Sequence, residues 1–169
     1  LKSQAINQFI NFFWTILSFI PIFDYWLGKD ITWLYAFVLF SLIPAVLPNN
    51  FFRHFQLSSN SKFYERLRVK FIQRFVQNGT FINRVIRKKN PDYKIIKDRV
   101  EARKYLGTIS MYERYHVFCF IFFGLTFGHA LYGQRYVAAF LILLVNAIYN
   151  ICPILIQQYN KLRVMRLLK

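Results

Sequence analysis

Side chains able to do chemistry are scarce in this sequence, and the best-spaced pair is Glu113 and His116. At i and i+3 on a helix the two share a face. A histidine held by a carboxylate can act as a general base toward a hydroxyl, because the carboxylate fixes its tautomer and stabilises its cation. Ser110-x-x-Glu113 also has the form of a capping box, in which Glu113 would only satisfy backbone donors at a helix start. The other histidines are His54 and His129, and the other acid at the level of apolar sequence is Asp24. A di-iron bundle needs two Glu-x-x-His motifs and two further Glu, and one such motif is present. Cys119 and Cys152 sit within apolar stretches and read as packing residues. No metal and no tightly bound cofactor is expected.

Asn146 and Asn150 lie four residues apart on one side of a helix, followed by Gln157, Tyr159 and Asn160. Polar groups inside a membrane span ordinarily hydrogen-bond a neighbouring helix. Asn150, Gln157 and Asn160 nevertheless approach the level of Glu113 and His116. That convergence is the most site-like feature of the sequence.

The elements that would position these residues follow from composition. The chain has 169 residues, 56% of them hydrophobic and 20% aromatic, yet carries 23 Lys+Arg against 7 Asp+Glu. An ordinary soluble domain is less apolar, and a disordered chain is far less so. The apolar residues fall in two blocks, 6–47 and 115–156, each split by a short polar element into two stretches of about 17–22 residues. A span needs roughly 20. The expected fold is therefore an all-α membrane protein, with four transmembrane helices as two hairpins. The long first stretch lacks small-residue cleavage signals, so no cleavable leader is expected. The expected division is a hairpin over 1–48, a basic helical segment over 49–114, and a second hairpin with a basic tail over 115–169. Residues 49–114 hold 16 of the 23 basic residues and a net charge of +11. The positive-inside rule then puts this segment and both termini in the cytoplasm.

Within the basic segment, residues 63–77 predict one amphipathic helix, with Arg66, Lys70 and Arg74 as a stripe and Asn78-Gly79 as its stop. Such a helix suits the membrane interface. A basic cluster follows at Arg84, Arg87, Lys88 and Lys89, then a turn at Asn90-Pro91. Residues 92–106 predict a second helix, supported by Lys97 and Glu101 and ended by Gly107. These charges suit anionic lipid or a phosphate-bearing substrate. No nucleic-acid recognition motif accompanies them, so nucleic acid is not an expected partner.

Three stretches resemble the bacterial glycosyl-4,4'-diaponeurosporenoate acyltransferases of the staphyloxanthin pathway. They are Leu47-Pro48-Asn49-Asn50-Phe51-Phe52-Arg53, the Glu-x-x-His of Glu113 and His116, and the run from Asn150 through Gln157, Tyr159 and Asn160 to Arg163. The resemblance covers roughly residues 47–168. It implies an integral acyltransferase of the bacterial cytoplasmic membrane, moving a fatty acyl group to a sugar hydroxyl on a glycolipid or glycosylated carotenoid. Acyl-CoA is the implied co-substrate. His116 would deprotonate the acceptor, Glu113 would orient it, and Asn150 or Gln157 could hold the thioester carbonyl. Tyr159, Asn160, Arg163, Arg53, Arg66, Lys70 and Arg74 would bind substrate. The alternative is a non-catalytic accessory subunit of a larger membrane complex, which aromatic-rich spans and interhelical Asn also suit.

Overall fold

The computed structural model describes residues 2–76, 79–89, 91 and 96–168. Among them every regular element is helical: α1 (Lys2–Trp26), α2 (Ile31–Ser41), α3 (Ile43–Val46), α4 (Asn49–His54), α5 (Ser61–Arg66), α6 (Val69–Ile72), α7 (Thr80–Lys89), α8 (Arg99–Tyr132), α9 (Tyr136–Asn146) and α10 (Cys152–Leu168), with one π turn, Ala147–Ile151, joining α9 to α10. Three helices are long and apolar enough to cross a bilayer: Ala5–Trp26, Arg99–Tyr132 and the continuous Tyr136–Leu168. The fourth apolar helix, Ile31–Val46, is shorter. A hitch at Leu42 divides it into α2 and α3, and Pro44 within α3 cannot donate back to Phe40. The chain is built as a membrane protein.

The turn out of α1 uses Gly28 at φ +70°, where a side chain would be strained. Asp30 then caps α2, accepting the Thr32 N–H at 2.9 Å, and that bond holds its carboxyl below the usual range. Ile22, Tyr25 and Trp26 of α1 are buried with Cys119, Phe122 and Phe123 of α8 and Ala139 and Ile142 of α9. The remaining apolar surface stays uncovered, with Phe9 at 70% and Val137 at 77% exposure. An apolar surface of this extent suits acyl chains rather than water.

The basic segment differs from the helices its periodicity predicts. Residues 63–77 do not form one helix. The chain breaks at Arg68, which adopts φ +60°, and α5 and α6 are separate short helices. The break lets Tyr64 and Val69 both pack against Ile156 and Tyr159 of α10, which a straight helix would not allow. Gln77 and Asn78 lie outside the described residues. Gly79 is fixed by close approach: a Cβ there would overlap the Gln73 carbonyl oxygen. Of the helix predicted over 92–106, residues 92–95 lie outside the described residues, 96–98 are not helical, the helix begins at Arg99, and Gly107 does not end it. Asp98 caps it by accepting the Glu101 N–H at 2.8 Å, while Glu101 accepts the Lys97 N–H at 2.7 Å rather than pairing with the Lys97 side chain. The result is a 34-residue helix, roughly 51 Å long at about 1.5 Å per residue. It exceeds a hydrocarbon core of about 30 Å, so its first turns extend beyond an apolar layer and carry the basic segment.

Candidate active site

Ser110 lies in the middle of α8, so Glu113 caps no helix start. Its side chain is buried at 2% exposure. One carboxylate oxygen accepts from Gln158 Nε2 at 3.2 Å and the other from Lys161 Nζ at 3.4 Å. Gln158 is itself a junction. It donates to the Phe55 carbonyl at 3.0 Å and accepts from the Leu57 N–H at 3.2 Å and the Tyr64 hydroxyl at 3.1 Å. These bonds lock α5, α8, α10 and the loop after α4 together. Gln158 is absent from the residues the sequence singles out. The sequence singles out its neighbour Gln157, through the resemblance of the run from Asn150 to Arg163.

His116 has a different partner. The spacing predicts a carboxylate beside it, but the Glu113 oxygens are engaged with α10. The ring Nδ1 lies 3.5 Å from Asn150 Oδ1. That contact is on the π turn. Asn150 Nδ2 donates to Asn146 Oδ1 at 2.8 Å, and Asn146 Nδ2 donates to the Phe120 carbonyl at 3.2 Å. A backbone carbonyl can only accept, so the chain has one direction. Each amide nitrogen points toward Phe120, and the Asn150 oxygen points at the ring. The ring therefore presents its N–H at Nδ1 and keeps its lone pair at Nε2. The π turn makes this possible. Such a turn inserts a residue and is common at functional sites.

His116 lines a cavity of about 1300 Å³ bounded by α1, α6, α7, α8, the π turn and α10. Gln157, Asn160 and Arg163 line the same cavity, so three of the residues named for substrate binding come together with the histidine. Asn160 accepts from Gln73 Nε2 at 3.0 Å. Asn150 stands behind His116 rather than on the wall, and is fully buried. Tyr115 and Tyr149 flank the ring with centroids 5.2 and 5.5 Å away. Their hydroxyls meet at 3.0 Å, and Tyr149 continues to Thr15 of α1 at 2.8 Å. Asn11, Trp14 and Thr15 of α1 complete the wall, with Trp14 Nε1 donating to the Phe75 carbonyl at 3.0 Å.

The stripe Arg66, Lys70 and Arg74 is not on this wall. Lys70 pairs with Glu65 at 3.0 Å, and Arg74 lies over the Phe71 ring. Tyr159 is buried and donates to Glu65 at 3.1 Å, so it braces α5 from beneath. Glu65 is held below the usual carboxylate range by its bonds from Lys70 and Tyr159. The Arg53 side chain lies outside the described residues. The basic residues that do line the cavity are Arg84, Arg87 and Lys88 of α7, with Arg163. Among the described residues no three His, Cys, Asp or Glu gather as metal ligands.

A cavity combining a directed histidine with a basic wall and apolar surfaces fits a lipid-modifying enzyme. Residues 48–169 match the family model for glycosyl-4,4'-diaponeurosporenoate acyltransferase. The chain belongs to this acyltransferase family. The matched region takes in α8, the π turn and α10, and so includes His116, Asn150 and the Glu113–Gln158 junction. The helices α1 to α3 precede it, although α1 supplies part of the cavity wall. No curated protein and no solved structure matches the chain.

Proposed function

We propose that this acyltransferase moves a fatty acyl group from acyl-CoA to a sugar hydroxyl of a glycolipid or glycosylated carotenoid, with His116 as the general base. One observation supports this reading above the rest. His116 lines a large cavity and is held by a hydrogen-bond chain that ends on a backbone carbonyl and leaves Nε2 as the acceptor. Nε2 takes the proton of the sugar hydroxyl as its oxygen attacks the thioester carbonyl carbon. The tetrahedral intermediate then collapses with cleavage of the C–S bond. The CoA thiolate leaves with the proton carried by the imidazolium, and the product is a sugar ester. Gln157 and Asn160, on the same wall, would hold polar groups of the two substrates.

In the membrane we place four crossings, the shorter α2–α3 being the second, with both termini and the basic segment at the cytoplasmic face of a bacterial inner membrane. The exposed Arg66, Lys70 and Arg74 would then meet lipid headgroups. The test is reconstitution. The purified chain in lipid nanodiscs, given acyl-CoA and a glucosylated carotenoid carboxylate, should form an acyl ester detectable by mass spectrometry. Free CoA should appear in equal amount. CoA release without ester, or neither product, would overturn the reading.

A further inference from the structure

We infer that α7 carries the phosphate-binding site for the donor: Arg84, Arg87 and Lys88, with Arg163 from α10, grip the phosphates of a CoA thioester at the cavity wall. The identity of the donor rests on the function proposed above; the location rests on the geometry alone. Positions 84, 87 and 88 follow the i, i+3, i+4 rule, so the three cations share one face of α7. That face lines the cavity, and among the described residues no Asp or Glu lines it with them. The three α7 cations, which face no carboxylate on that wall among the described residues, repel one another and favour a polyanionic ligand. Arginine forks match phosphate oxygens in pairs, which suits two or three phosphoryl groups. The alternative stripe on α5 and α6 lacks both properties. Lys70 is already paired with Glu65, and Arg66, Lys70 and Arg74 do not line the cavity. His116 and the apolar Ile109, Ile148 and Ile156 line the same space. Phosphates held at α7 would therefore leave the thioester and acyl chain to extend toward the histidine.

The experiment measures CoA itself, which cannot undergo transfer, binding to the full chain in neutral phosphatidylcholine nanodiscs. The parent should bind CoA with an affinity that falls as salt rises, because screening weakens exposed charges. R84Q/R87Q/K88Q should bind at least tenfold more weakly, while R99Q/R103Q/K104Q, which removes three exposed cations off the cavity wall, stays within twofold of the parent. CoA should also protect Lys88 of the unmodified chain from an amine-reactive reagent, a readout that needs no variant to fold. Equal CoA affinity for the α7 variant and the parent would overturn the site. So would a parent that ignores CoA and shows Lys88 protection only in phosphatidylglycerol discs, since the cluster would then be a lipid-headgroup site. Failure of the acyl-transfer reading is separable. A parent that binds CoA through α7 but forms no ester keeps this site and loses that reading. A parent that forms ester with an α7 variant of unchanged affinity does the reverse.

Discussion

Asn150 stands between His116 and the rest of the fold, and Glu113 does not. The Phe120 carbonyl orients Asn146, Asn146 orients Asn150, and Asn150 meets the ring. Glu113 instead anchors Gln158 and Lys161. The two residues should fail differently. Asn150→Leu should leave a folded protein whose kcat for acyl transfer falls by roughly 10- to 100-fold, since it loses the orientation of a base worth about 10²–10⁴. Glu113→Gln should lower the melting temperature while the folded fraction keeps kcat within a few-fold. Paired melting and single-turnover measurements distinguish them, and the opposite pattern would restore Glu113 as the orienting group. The i, i+3 spacing made the pair visible in the sequence. Spacing reports which residues share a face, but not which long-range partner arrives there. Asn150 is 34 positions from His116, and Gln158 is 45 from Glu113.

At the scale of elements, the apolar stretches and the polar breaks between them were legible because span length and turn chemistry are local properties. The basic segment was less so. Its 63–77 stretch carries a sound helical period, but tertiary packing of Tyr64 and Val69 on α10 outweighs it and bends the chain at Arg68. The π turn was not legible either, since one inserted residue shifts every later face by about 100° of helix rotation. It helps explain why Gln158 faces Glu113. The α5–α6–α10 junction carries a pH signature. Glu65 has a lowered carboxyl pKa in the fold, caused by its bonds from Lys70 and Tyr159. Folding therefore favours its ionised form. The contribution is fully present above the ordinary Glu range near ~4.3, and is lost as pH falls through the lower folded value. The melting temperature should drop across that acid window. Glu65→Gln should melt lower at neutral pH and show a smaller drop. An unchanged acid profile in Glu65→Gln would remove Glu65 from the junction.

For the molecule as a whole, charge and apolar surface are divided as the composition implies. Aromatic and aliphatic side chains face outward along the long helices, and the cations gather on the segment between them. The cavity arises where these two populations meet, with His116 beside apolar walls and α7 cations on the other side. No sequence period encodes such a meeting point, because it draws on α1, α6, α7, α8 and α10 at once. The family match begins at residue 48. Even so, α1 closes the wall through Trp14 and Thr15, so the first helix belongs to the working unit. The central claim is that His116 is the base of an acyl transfer in this cavity. The most direct test is the rate of ester formation by His116→Ala in nanodiscs at saturating donor and acceptor, with melting temperature recorded on the same sample. The rate should fall by about 100-fold or more with melting within a few degrees of the parent. Transfer at the parental rate by the folded variant would contradict the account.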